Sequence, residues 1–124
     1  MTKDQAINLI NIYGKAWTTQ DPDLIVSIFT DDAIYHDPHE PPNIGREAIR
    51  NYWVNKVIGE QSDIEFDLKN VWIDGKTVIA EWHASFIDTK RNLRIKMQEV
   101  AIFQIEGQKF SSLREYYKTE KIEL

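Results

Sequence analysis

The chain has no cysteine among its 124 residues. That excludes disulfides, thiolate nucleophiles and cysteine-ligated metal, and it fits a reducing cytosol, so a cytoplasmic protein is expected. Long apolar runs are missing too, and the opening Met1-Thr2-Lys3-Asp4-Gln5 is polar, so neither a signal peptide nor a membrane span is expected. Basic residues are outnumbered, 15 Lys and Arg against 20 Asp and Glu, and no cationic run is longer than Lys90-Arg91. A nucleic-acid surface needs a basic stripe, so nucleic acid is a poor partner. No linker, repeat or low-complexity stretch interrupts residues 1–124, which read as a single domain long enough to bury a core unaided. What the chain does have is aromatics, four Trp, five Tyr and five Phe. In a small acidic domain these suit an apolar ligand cavity or a subunit interface.

Helices come first. Ala6, Ile10, Tyr13 and Trp17 recur at helical spacing, which predicts an amphipathic helix over 3–19. Asp21-Pro22 reads as N-cap and first turn of a second helix, with Leu24, Ile25, Ile28 and Phe29 inward. A short strand from Ala33 to Asp37 leads into a loop from Pro38 to Asn43 that holds three of the four prolines. A third helix runs from Gly45 to Ile58, burying Ile49, Tyr52, Trp53 and Val57. Strands follow over Ile64–Ile73, Thr77–Asp88, Leu93–Ile105 and Lys109–Lys118, joined by tight turns such as Asp74-Gly75. Helices followed by long antiparallel strands make an α+β order. Three helices cover one face of a curved sheet only. Val71, Val100 and Ile102, of opposite parity to the core set, are therefore expected on the outer face, where a homodimer would bury them.

Two carboxylates break the strand pattern. Leu93, Ile95, Met97, Ala101, Phe103 and Ile105 share one face, and the same parity places Glu99 among them. Leu113, Glu115 and Tyr117 repeat this on the next strand. An ionised carboxylate on a core face is expensive unless it is paired, protonated or lining a cavity. The chain therefore reads as a fold around a pocket with acids in it.

Several segments in sequence carry a family resemblance: Tyr13-Gly14-Lys15-Ala16-Trp17, Asp21-Pro22-Asp23-Leu24, Phe29-Thr30-Asp31-Asp32-Ala33, Asp37-Pro38, Gly45-Arg46-Glu47-Ala48-Ile49, and Phe103 through Gly107 leading to Leu113-Arg114-Glu115-Tyr116-Tyr117. In this order the chain resembles the nuclear transport factor 2-like superfamily, and within it the ketosteroid isomerase and SnoaL-like branch. The resemblance implies a cone-shaped α+β barrel, with three N-terminal helices packed in a strongly curved, mainly antiparallel sheet around a deep apolar cavity. It does not fix an activity, because this fold hosts isomerases, epoxide hydrolases, cyclases, dehydratases and binding proteins.

The resemblance also nominates residues. Asp37 matches the carboxylate that shuttles a proton in ketosteroid isomerases, although an Asp before Pro38 is equally a turn cap. Tyr13 matches the phenol that hydrogen-bonds the developing oxyanion, with a buried core aromatic as its alternative. The second, protonated acid of those isomerases falls at Ala101 here, and Glu99 stands one inward step away, about 6–7 Å along the strand. That departure counts against steroid-type isomerisation. Arg114-Glu115-Tyr116-Tyr117 resembles the last-strand run of SnoaL-like cyclases and related epoxide hydrolases, with Lys118 where an acid usually follows. A Glu115 facing Glu99 would raise one of the two pKa values and make a proton donor, unless Arg94, Arg114 or a buried hydroxyl neutralises one of them.

Trp17, Trp53, Trp82, Phe86, Met97, Leu113 and Tyr117 are expected as core and cavity wall for a small apolar ligand. His36, His39 and Glu40 around Asp37 raise a metal reading, but His36 points opposite to Asp37 and no second histidine cluster completes a site, so neither metal nor cofactor is expected. The leading expectation is a cofactor-independent isomerase, cyclase or hydrolase; the alternative is a ligand-binding or interaction domain of the same fold.

Overall fold

The structure, a computed structural model, describes residues 1–124. Helix α1 spans Lys3–Thr18 and starts at a reciprocal cap, in which Thr2 accepts from the Gln5 backbone while the Gln5 side chain accepts from the Thr2 backbone. Its buried stripe of Ala6, Ile10, Tyr13 and Trp17 is the one the spacing predicts. Helix α2 spans Pro22–Val26, capped by Asp21, whose Oδ1 accepts from the backbone of Asp23 and Leu24. It is shorter than expected, and Phe29 opens strand β1, Phe29–His36, rather than closing the helix. Asp37 is thus the first residue beyond the strand. Asn43–Ile44 forms a two-residue strand β2 at the end of the proline loop. Helix α3 spans Arg46–Trp53 and widens into a π-helical turn over Val54–Ile58.

Strands β3 (Gln61–Asp74), β4 (Thr77–Asp88), β5 (Leu93–Glu106) and β6 (Lys109–Glu123) complete a six-stranded sheet in the order β2-β1-β6-β5-β4-β3. All pairs are antiparallel except β1 with β6. The sheet curls strongly but does not close, so the expected barrel is an open cone whose edges are the short β2 and the 14-residue β3. Helices pack on its inner face, and Gly75 and Gly107 sit at positive φ in the tight turns before β4 and β6. No helix is long and apolar enough to cross a membrane.

One expectation about the faces is corrected. Val71 is buried in the core, and Trp72 stands 51% exposed on the outside instead. The register of β3 against β4 shifts between Leu68 and Asn70, a bulge that adds a residue and reverses the parity beyond it. Val100 is exposed and Ile102 half-buried on the outer face, as expected.

Gly14 is where α1 meets the sheet most closely. A Cβ there would lie 2.3 Å from Cδ1 of Phe66, whose ring is wedged among Tyr13, Trp17 and Trp82. Alanine gains about 1 kcal/mol of helix propensity but overpacks a core site at about 1–3 kcal/mol. Gly14→Ala is therefore expected to lower the denaturant midpoint, with the slope unchanged.

Candidate active site

Between the helices and the inner sheet face lies a cavity of about 450 Å³. Tyr13, Trp17, Tyr35, Asp37, Trp53, Phe86, Met97, Glu99, Glu115 and Tyr117 all border it. All four acid/base candidates and five of the seven wall residues are thus brought to one space. Trp82 and Leu113 are not: both are fully buried in the packed core and neither borders the cavity, so they are core and not wall. Nor is the cavity apolar throughout, because Glu40, Lys56, Glu60, Asp88, Arg91 and Lys121 ring its mouth.

Strand alternation delivers Tyr35 to the cavity from β1, Glu99 from β5, and Glu115 and Tyr117 from β6, and Asp37 follows just past the end of β1. Tyr13 comes from α1 and Tyr52 from α3. Asp37 is 9% exposed and accepts three hydrogen bonds. Oδ1 takes the His39 backbone N–H at 2.9 Å and the Tyr117 hydroxyl at 2.9 Å, and Oδ2 takes the Tyr52 hydroxyl at 2.6 Å. The turn-cap reading and the pocket reading of Asp37 are therefore both true. A carboxylate offers about four acceptor positions, so one remains.

Glu99 and Glu115, 2% and 6% exposed, form the second acidic station. They are not directly opposite: Glu99 pairs with Tyr117 and Glu115 with Ala101, so the carboxyls meet diagonally. Glu115 Oε1 accepts from the hydroxyls of Tyr13 at 2.9 Å and Tyr35 at 3.2 Å. Glu99 Oε2 is buried with no donor facing it. Burial, reinforced by the Glu115 charge, holds Glu99 well above the usual glutamate range, so of the two carboxyls Glu99 is the one favoured to keep a proton. Burial likewise pushes Glu115 up to about 7, against the opposing donations from Glu99, Tyr13 and Tyr35. Trp82 stands across from Glu99 on β4, near enough to favour its charge, but its indole N–H is not at hydrogen-bonding geometry.

No cation neutralises this pair. Arg94 reaches Asp63 at 2.6 Å, and Arg114 is exposed on the outer face. The compensation comes from phenols, whose own pKa values are all raised, chiefly by burial, so they stay donors. Metal ligation gains nothing either: Glu40 is held by Lys56 at 2.9 Å, Asp37 is occupied by its tyrosines, and no three His, Asp or Glu side chains are grouped to hold an ion.

Tyr35 and Tyr52 were not among the candidates. Tyr35 had a signal, since it shares its parity with Ala33 and Asp37. Tyr52 was legible only as a buried helix position.

The fold recurs in solved structures. A hypothetical protein with a ketosteroid isomerase-like fold from Catenulispora acidiphila, in complex with trimethylamine, superposes with a TM-score of 0.81 at 17% identity, over 89% of this chain and 85% of that one. An epoxide hydrolase of M. tuberculosis gives 0.77 at 18%, over 94% and 84%. The epoxide hydrolase/cyclase-like enzyme SalBIII, of pyran ring formation in polyether salinomycin, gives 0.78 at 24%, over 95% of both chains. Such identities establish a shared fold and no more. No curated protein matches the sequence. The SnoaL-like domain model, however, matches residues 11–113, most of the chain and every element that carries the two acidic stations except the end of β6, so this protein belongs to the SnoaL-like domain family.

Proposed function

We propose that the cavity is the active site of a cofactor-independent isomerase, cyclase or hydrolase acting on a small molecule with an apolar or cyclic body. The observation that carries this reading is the pairing of two acidic stations of opposite character across one cavity. Asp37 only accepts hydrogen bonds and has room for one more, while Glu99 holds a proton it can give. Asp37 is the base, the Glu99–Glu115 pair is the acid, and Tyr13 orients Glu115 rather than meeting a substrate oxyanion directly. Solved relatives of this fold named for epoxide hydrolysis and cyclisation support the reading. Ala101, where ketosteroid isomerases hold an acid, favours a second reading, a binding domain without chemistry.

A panel of small epoxides and enolisable ketones separates the two. Epoxide opening, or exchange of an α-proton in D₂O, faster with the wild type than with Asp37→Asn supports the enzyme. Binding with no difference in rate supports the second reading.

We also propose a homodimer through the outer sheet face. Trp72, Ile79 and Ile102 lie in register across β3, β4 and β5, with Val100 and Tyr116 beside them, and no helix covers them. Sedimentation at tens of micromolar is expected to give a dimer, and Trp72→Glu a monomer. A wild-type monomer would refute this assembly. The cytoplasm, with its reducing poise, remains the proposed compartment.

A further inference from the structure

The charges in and around the cavity do not balance, and the imbalance says something about the occupant. The interior acids are Asp37, Glu99 and Glu115, and the other titratable side chains facing them are all phenols: Tyr13 from α1, Tyr35 from β1, Tyr52 from α3 and Tyr117 from β6. At the mouth the signs cancel. Lys56 pairs with Glu40 and Glu60, Arg91 pairs with Asp88 at 2.8 Å, and Lys121 stands exposed as the remaining cation. No Lys or Arg reaches the floor. Buried carboxyls are ordinarily paired with a cation or hydrogen-bonded, and here Asp37 and Glu115 have donors but no cation. Glu99 Oε2 in particular is sealed from solvent with no donor.

The walls supply the other half of the argument. Trp17, Trp53 and Phe86, with the tyrosines, surround the acids with aromatic rings, whose negative faces attract cations. An anionic ligand would be repelled by the acids, and a neutral one would leave them with hydrogen bonds from phenols but no opposite charge. We propose that the cavity takes an organic cation, a small apolar body bearing a tertiary or quaternary ammonium group, seated between the aromatic walls and the three carboxyls.

The inference rests on the reading of this cavity as the ligand site, and it names the ligand's charge. A cation there favours ionised Glu115, while Glu99 keeps its proton, so binding releases protons and tightens as pH rises.

The test compares choline with its neutral carbon isostere, 3,3-dimethyl-1-butanol, by isothermal titration calorimetry on the intact protein. Choline is expected to bind at least tenfold more tightly at pH 7, with the preference growing between pH 6 and 8. Titration in two buffers of different ionisation enthalpy should show proton release with choline and none with the alcohol. Glu115→Gln should reduce the preference several-fold and leave the alcohol's affinity within twofold. The wild-type pH dependence carries the test if that variant misfolds. Equal binding, tighter binding of the alcohol, or binding of neither overturns the proposal. The acid/base reading fails separately, on the rates of the epoxide and ketone panel, and it survives if the alcohol wins here.

Discussion

Asp37→Asn is expected to lower turnover of a true substrate by about 10²–10⁴-fold, the usual worth of a general base. The fold should tolerate the change because its hydrogen bonds can be rebuilt. The amide oxygen keeps the bonds from His39 N–H and Tyr117, both of which go to Oδ1. The amide nitrogen then faces Tyr52, whose hydroxyl rotates from donor to acceptor. The check is a single-turnover rate beside a thermal melt. A rate loss with the melting temperature nearly unchanged supports the base; a fall in stability with no selective rate loss leaves Asp37 as a turn cap only.

The second large effect is on stability. Glu99 and Glu115 both have folded pKa values above the ordinary glutamate value of 4.5, so the native state holds protons that the unfolded chain has released. Their contribution is whole below about pH 4.5 and is lost as pH rises through the folded pKa values, about 7 for Glu115 and well above the ordinary range for Glu99. For Glu115 the gap between 4.5 and about 7 corresponds to roughly 3 kcal/mol. In Glu115→Gln the amide oxygen still accepts from Tyr13 and Tyr35, its nitrogen faces Glu99, and burial alone is left as the main cause that raises Glu99. The variant should therefore lose the Glu115 share of the decline between pH 5 and 8, and at pH 8 melt about 5–10 °C above wild type. Identical slopes for the two proteins would mean that the pair is solvated.

Local patterns in the sequence carried the architecture well. The cap at Asp21, the buried stripe of α1 and the shared face of Leu93 through Ile105 each depend on neighbours within a few residues, and all are present as read. Placing Glu99 and Glu115 inward needed only the period of two. Failures came where the period breaks. The bulge beyond Leu68 turned Val71 inward, and the π-helical turn after Trp53 is invisible in a pattern that assumes one helical pitch. The site was legible in its acids and less so in what surrounds them. Tyr52 meets Asp37 from 15 residues away and Tyr117 from 80, and no local rule brings those three together. The diagonal meeting of the glutamates depends on the register of β5 against β6, which the hairpin turn sets and side-chain parity does not.

Because the sheet stays open, β3 offers its outer backbone N–H and C=O groups to any strand that approaches. Its guard is charge: Asp63, Glu65 and Asp67 are exposed along it, against Lys69 alone among the cations of that strand. Two of these charges are already answered: Lys69 pairs with Asp67 at 2.6 Å and Arg94 of β5 with Asp63 at 2.6 Å, leaving Glu65 unpaired between them. Such exposed charges are screened by salt, so the guard should weaken as ionic strength rises, and concentrated salt should favour association edge to edge.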